Sequence, residues 1–414
     1  MPPRAAGRPW VALAGLVLVG CRATALEQST QPQASAPPVL AGSLTTAGLA
    51  AYAVAADGAV WAWGDNDQGE LGVEGADRFV PTRLAVPAAS AVAAGERTGG
   101  EGLGAHALIL TREGTVYGMG DGDAGQLGHA DGQDRFAPHR VPGLDGVRHL
   151  AAGGDFSLAL RADGTVWAWG TDRHGALGDG EESRALPHVP TAITGHTELQ
   201  ALAAGQDHVL ALRRDGTVLA WGGNHNGQLG DGTRETRRAP VPVPGLKDVT
   251  AIAAGAEFSM ALTRDGQVWT WGDNDDGELG HEVLAVTHVE RSPKRMERLT
   301  EVVAIAAGGG HALALRRDGT VWGWGANHFG ELGRGEGRPG SLGLEAAPVQ
   351  GLTGVAAIAA GDGFSLAAKA DGTVWAWGAN GNGQLGIGAR DLESHPLPVA
   401  VKGPDGQGAF KLVP

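Results

Sequence analysis

The residues best able to do chemistry are the carboxylates that crowd short glycine-rich stretches. Asp65-Asn-Asp67-Gln-Gly69-Glu70 and Asp273-Asn-Asp275-Asp276-Gly277-Glu278 have the composition of a calcium loop. An EF-hand loop needs Gly at its sixth position and a bidentate Glu at its twelfth. Neither stretch has that spacing, and Asn and Asp also suit a left-handed corner. Gly120-Asp-Gly122-Asp-Ala-Gly125 matches the dinucleotide fingerprint, which works only between the strand and helix of a βαβ unit. The histidines show no HExxH spacing. His106, His208 and His311 share one position, seven residues before a recurring acid, where other copies carry Phe156, Phe258 and Phe364. A place that accepts Phe is a packing position. Ser157, Ser259 and Ser365 recur beside it, as packing residues do and a triad nucleophile does not. These readings lead us to expect no catalytic residue, no metal ligand and no cofactor. Cys21 is the sole cysteine. It can form no intramolecular disulfide and cannot complete a Cys-based zinc site.

The elements behind these stretches are seven copies of one unit. The last reads Asp371-Gly-Thr-Val-Trp-Ala-Trp-Gly378, then Ala379-Asn-Gly-Asn-Gly-Gln-Leu-Gly386. The others begin at Asp57, Glu113, Asp163, Asp215, Asp265 and Asp318, so the starts lie 56, 50, 52, 50, 53 and 53 residues apart. A period of this size signals a repeat architecture. An acid followed by Gly between strand-forming residues is a hairpin turn. With Asp163-Gly164 as a two-residue turn, Leu160 faces Trp167 and Leu158 faces Trp169. Side chains alternate between faces along a strand, so this register gives each sheet a bulky face of Leu and Trp and a small face of Ala, Ser and Gly. Such sheets cover one another when stacked around an axis, which is the propeller solution. An open solenoid needs polar capping repeats, and the end copies show none.

The 42% hydrophobic fraction and 70 Gly fit this scheme, since the glycines recur at fixed repeat positions. Eleven of the twelve Trp belong to the motif: Trp61, Trp63, Trp167, Trp169, Trp221, Trp269, Trp271, Trp322, Trp324, Trp375 and Trp377. We read them as blade core. The formal charge is −14, which disfavours a broad nucleic-acid interface. Two basic clusters, around Arg234–Arg238 and Arg291–Arg298, are interleaved with Glu and read as solvated loops.

Residues 1–20 read as a signal peptide: Arg4 and Arg8 precede a short apolar run from Trp10 to Gly20. The run ends in Leu18-Val-Gly-Cys21, which resembles the lipobox of bacterial lipoproteins. That resemblance implies a lipid thioether on Cys21, delivery to the cell envelope, and an outer-membrane address where the host has one. Residues 21–40, rich in Gln, Ser, Thr, Ala and Pro, read as a disordered tether. Residues 41–414 form the propeller. Pro-Val segments such as Ala239–Pro244 suit outer edge strands. The first unit lacks a full apolar first strand, and Ala409–Val413 is surplus at the other end. We therefore expect the all-β, seven-bladed ring to be closed by a strand donated from the C-terminus. Function should reside in the irregular segments, Glu96–Gly104, His281–Arg298 and Arg334–Ala347.

Period, hairpin and motif together resemble the regulator of chromosome condensation repeat family, whose units carry Asp-Gly, Trp-x-Trp-Gly and Asn-x-x-Gly-Gln-Leu-Gly. Here the pattern is Asp371-Gly372, Trp375-Ala-Trp377-Gly378, Asn380 and Gly383-Gln-Leu-Gly386, and it covers about residues 42–414. The second copy departs, with Tyr117 and Met119 for the two Trp. The resemblance implies a seven-bladed propeller. It also implies two kinds of activity: guanine-nucleotide exchange, as in the eukaryotic namesake, or inhibition of an extracytoplasmic enzyme, as in secreted relatives that bind β-lactamases. The repeat motif carries neither, because those residues build blades. Our expectation is a monomeric, non-enzymatic protein-binding scaffold of the envelope, held to the membrane by its lipid and contacting no nucleic acid. Its partner would be a protein or other envelope macromolecule, with Phe79, Phe136, Phe329 and Phe410 as candidate contacts.

Overall fold

The structure is a computed structural model that describes residues 43–97, 104–181, 189–194, 198–281, 288–338 and 340–413. The stretches expected to be a signal peptide and a tether, with Cys21, lie outside the described residues. Seven four-stranded antiparallel sheets follow one another, each built from consecutive strands. The fourth is typical, with strands Leu199–Ala204, His208–Arg213, Val218–Gly222 and Arg237–Pro242. No helix occurs among the described residues. The Ala-Ala-Gly strands lie innermost and the Pro-containing strands outermost, as the sequence implies.

Antiparallel connection sends alternate loops to opposite ends of the ring. One end carries the Asp-Gly turns and the Val-Pro-Gly-Leu connections. The other carries a short loop after each inner strand and a long loop after each third strand. The inner strands surround an axial channel of about 240 Å³, lined by Leu44, Val92, Leu202, Ile252, Ile305 and Ile358. At the long-loop end the blades meet through bare backbone. Gly154 N–H donates to Gln206 O (3.0 Å), Gln206 N–H to Ala256 O (3.1 Å), and Asp362 N–H to Gly48 O (3.0 Å). A Cβ on Gly95 would stand 1.9 Å from Gly153 O, so the third residue of Ala-Ala-Gly has no room for a side chain.

The hairpin register differs from the two-residue reading by one position. Arg161 N–H donates to Thr165 O (2.9 Å) and Gly164 N–H to Arg161 O (3.0 Å), so Ala162, Asp163 and Gly164 form a three-residue loop. Gly164, at φ 91°, supplies the left-handed residue that such a loop needs. Asp163 braces it, its Oδ1 accepting from Thr165 N (2.9 Å) and Thr165 Oγ1 (2.7 Å). Leu158 therefore pairs with Ala168, Ala159 with Trp167, and Ser157 with Trp169. Leu and Trp lie on opposite faces, and each face combines one bulky strand with one small strand. A one-residue shift has this effect because the side-chain period is two. The joints interlock: Leu108, Leu110 and Val116 of the second blade pack with Ala159 and Trp169 of the third. Leu210, Leu212 and Val218 of the fourth do the same with Ala261 and Trp271 of the fifth.

The eleven Trp divide accordingly. Trp63, Trp169, Trp221, Trp271, Trp324 and Trp377 are fully buried. Trp61, Trp167, Trp269, Trp322 and Trp375 are half-buried against the same joints. Three of these carry a cation over the ring, Arg161 at 4.0 Å from Trp167, Lys369 at 4.4 Å from Trp375 and Arg316 at 5.5 Å from Trp322.

The seam is closed from the C-terminal side by a short bridging tail rather than a full donated strand. The first blade draws all four strands from Ser43–Arg83. Residues 409–412 make isolated bridges, Thr373 with Lys411 and Lys402 with Ala409, and Leu412 O accepts from Ala56 N (3.2 Å). The first inner strand itself bridges to both neighbours, which is why it needs only its beginning supplied. Thr45 Oγ1 donates to Val92 O (3.0 Å) and Thr46 Oγ1 to Ala360 O (2.7 Å).

Candidate functional site: the long-loop end

In four blades a single Asn side chain holds the long loop. Asn224 Oδ1 accepts from Leu229 N (3.0 Å) while its Nδ2 donates to Glu235 O (3.0 Å), drawing both ends of the loop together. Asn66, Asn327 and Asn380 do the same in their blades. In the third blade Asp172 takes over the bond to Leu177 N (2.9 Å). The Gln of Gly-Gln-Leu-Gly accepts a backbone N–H two residues earlier, as Gln228 does from Asn226 (2.9 Å). Glu70 and Glu278 fill this place elsewhere and accept the equivalent bond. Burial pushes both carboxyls up to about 8, with Asp65 adding to the effect at Glu70 and Asp273 and Asp276 at Glu278. The neutral acid is the form that resembles Gln. The carbonyl at this position accepts the indole N–H of the next blade, as in Trp271 to Gln228 O (2.8 Å) and Trp377 to Glu331 O (2.7 Å). In the second copy Met119 has no N–H to give. Tyr52 of the first blade supplies the missing donor, its hydroxyl reaching Glu70 O at 2.8 Å. The departure from the motif is thus compensated across the joint.

These bonds make a rigid platform, and what it displays is acidic. Among the described residues, the loops of this end hold twenty-five Asp and Glu against five Arg, whereas the opposite loops hold thirteen against eight Lys and Arg. Two carboxylate groups, Asp65 with Asp67 and Asp77, and Asp121 with Asp123 and Asp134, bring oxygens within 4.8 Å of one another and could hold a cation. They already serve the loops: Asp77 Oδ1 accepts from Asn66 N (3.3 Å) and Asp134 Oδ1 from Gly122 N (2.9 Å).

Exposed apolar side chains concentrate in the sixth and seventh blades, two of them in the long loops and three on the outermost strands. Phe329, Leu342 and Leu344 of the sixth blade and Leu392 and Leu397 of the seventh are exposed, Leu392 to 96% and Phe329 to 48%. Ser394 Oγ donates to Phe329 O (2.6 Å), tying the two loops into one surface. The Phe329 ring lies over Gly363, where a Cβ would come within 2.9 Å of it. Of the four aromatic residues expected as contacts, only Phe329 belongs here. Phe410 is buried between Trp61 and Trp63, at centroid distances of 5.4 and 5.9 Å. Phe79 and Phe136 cover Gly383 and Gly69 of the preceding blades, the place taken elsewhere by Arg238, Arg291, Leu344 and Pro396. Phe79 is half-buried there, and Phe136 remains 45% exposed. The leucines escaped sequence reading. The signal was Leu392 itself, an apolar residue in Arg390-Asp-Leu-Glu-Ser with no counterpart in the repeat. Of the irregular segments, Glu96–Gly104 pairs Arg97 with Gly104 at the end of a lengthened hairpin, and its tip lies outside the described residues. So does 282–287.

The RCC1-like domain family model matches residues 184–411, and models of the regulator of chromosome condensation (RCC1) repeat match 57–98, 113–160 and 147–176. The chain is 30% identical over 394 residues to the ultraviolet-B receptor UVR8 of Arabidopsis thaliana, covering 92% of this chain and 86% of that one. It is 34% identical over 367 residues to the E3 ubiquitin-protein ligase HERC2 of Homo sapiens, covering 86% of this chain but 6% of HERC2. Among solved structures, Prp20p of Saccharomyces cerevisiae superposes with a TM-score of 0.72 at 26% identity, over 83% of this chain and 86% of that one. That structure is described together with its binding to Gsp1p and histones.

Proposed function

The chain belongs to the RCC1-like family, and on that footing we propose that it is a non-enzymatic scaffold that docks a protein partner on the long-loop end of blades six and seven. One observation carries this reading. Five of the seven large apolar side chains exposed among the described residues lie in those two blades. Clustered apolar exposure on an otherwise polar surface marks an interaction site. The binding properties attached to Prp20p support a binding role for the fold. The histidines and serines that could have suggested catalysis are joined in buried pairs between blades, as His208 Nε2 to Ser259 Oγ (2.9 Å), and are unavailable to a substrate.

The N-terminal motif gives the proposed location. A lipid on Cys21 and a tether over 21–40 would hold a monomeric ring at the envelope, with several acyl chains giving firm anchoring. The acidic loop end disfavours nucleic acid as the partner. Two measurements test the two halves. A photoreactive residue at Leu392 should crosslink the partner in intact cells, and one at Glu113 on the opposite end should not; equal or absent crosslinking at both sites removes the docking reading. Cys21→Ser should move the protein out of the detergent phase, and unchanged partitioning removes the anchor.

A further inference from the structure

We propose that the surface formed by Phe329 and Leu392 takes a cationic amphipathic segment of the partner, its basic residues meeting the surrounding carboxylates and its apolar residues covering the two side chains. This rests on the scaffold reading above and gives that partner its chemistry.

Charge selects the occupant. Asp276 of the fifth blade lies 3.8 Å from His328, the neighbour of Phe329, with Asp275 next to it in the chain, and Asp391 and Glu393 flank Leu392; Asp275 and Asp391 also meet His288 (2.8 Å) and His395 (2.9 Å). The nearby arginines offset little of this. Arg334 turns inward to Gly323 O and Glu345 O (2.8 Å), Arg390 sits 3.6 Å from Asp77, and Arg338 is exposed but shares its loop with the exposed Glu336. An apolar segment flanked by acids would meet like charge on both sides, and phosphate-bearing surfaces would be repelled in the same way. A basic segment without apolar residues would leave Leu392 in water.

Access is open as well. Ser43 pairs with Val54, close to the Asp57 turn, and the C-terminal residues bridge beside the Asp371 turn. Both chain ends therefore leave the ring at the opposite end. A tether running from that end toward a membrane would turn the acidic, apolar end outward, where a partner can reach it.

The test uses designed peptides of roughly 18 residues, about five helical turns, titrated into the folded propeller at low ionic strength and followed by fluorescence anisotropy. A Lys/Leu amphipathic peptide should bind, and Glu/Leu and Lys/Ser peptides of the same length should bind at least ~10-fold more weakly. Phe329→Ser with Leu392→Ser should weaken the Lys/Leu peptide by about 10-fold or more. Asp275→Lys with Asp276→Lys should weaken it comparably and flatten its salt dependence. Glu113→Lys, on the other end, should leave it unchanged. These substitutions are on exposed loops, and matching thermal melts confirm that each variant remains folded. Equal binding of the Glu/Leu or Lys/Ser peptide would overturn the proposal, as would indifference to the patch variants. A concentration-dependent dimer abolished by Leu392→Ser would also overturn it, by assigning the patch to a second copy. Crosslinking from Leu392 in cells without Lys/Leu binding would sink the partner chemistry alone. Its absence at Leu392 would sink the scaffold reading instead.

Discussion

His106, His208 and His311 each reach across a joint to a serine of the next blade, Ser157, Ser259 and Ser365, at 2.8–2.9 Å. Each serine donates its own proton to a carbonyl of the preceding blade, as Ser259 does to Gln228 O (2.7 Å). The imidazole Nε2 must then carry the proton it shares with Oγ, so the ring is the neutral Nε2–H tautomer. Burial pulls His106 and His208 down to about 3 and His311 to about 4. The intervening joints replace the pair with an apolar one: Phe156 with Val209, Phe258 with Ala312, and Phe364 with Ala51. Removing one partner should therefore cost more than exchanging both. Ser259→Ala strands a buried N–H and should destabilise by ~1–3 kcal/mol, and adding His208→Phe should recover part of the loss. The sign of the pH effect follows. His208 titrates near 6.5 unfolded and near 3 folded, so the unfolded chain binds the extra proton as pH falls below about 6.5 and stability drops. The double variant should lose less between pH 7 and 5 than the wild type. Urea unfolding at both pH values decides this, and parallel losses would show that the pair does not set the slope.

At the scale of the strand and its turn, the sequence revealed the hairpin but not its register. Asp163-Gly164 names a turn, yet two- and three-residue loops both place Gly in a left-handed conformation. What separates them is the bond from Arg161 N to Thr165 O, a backbone choice that no side chain announces. Element order, strand positions and the inner and outer placement were legible because they follow from period, small residues and Pro. The exposed leucines were not, because exposure depends on which loop covers which. The corrected register sharpens one expectation. Ala314 pairs with Trp322 and lies in the joint with Met260, Leu262 and Trp324. Ala314→Leu should overfill it at a cost of ~1–3 kcal/mol, while Arg317→Leu, exposed beside the turn, should stay within ~0.5 kcal/mol. Gly323, opposite Leu313, marks the other face: a Cβ there would lie 3.3 Å from Leu313 Cδ2. Equal urea midpoints for the two variants would mean that this joint has slack the packing does not show.

The whole ring has to close an alternation that seven blades cannot complete. His–Ser joints follow blades two, four and six, so the first blade falls between two apolar joints; it carries Ala50 where the others have His or Phe, followed by Ala51, as small as Ala107 and Ala312 of blades two and six. With those side chains small, the seam depends on what the C-terminus brings. Phe410 and Leu412 are 3% and 1% exposed, and Phe410 meets Trp61 and Trp63 edge-on. The backbone holds them in place: Phe410 N–H donates to Val401 O (2.8 Å) and Leu412 N–H to Gly372 O (2.9 Å). Leu412 repeats what Val302 does when its N–H bonds to Gly266 O (3.2 Å), so the tail supplies the first residues of the next inner strand without forming that strand. Burying the two side chains is worth at most ~3–6 kcal/mol. Deleting 405–414 should lower the melting temperature of the entire ring, because an open seam exposes both the first and seventh blades. Phe410→Ala should lower it by a smaller amount in the same direction. Calorimetry distinguishes closure from local fraying: a lower, single transition is expected in both variants. An unchanged main transition would show that Thr45 and Thr46 of the first inner strand close the ring without the tail.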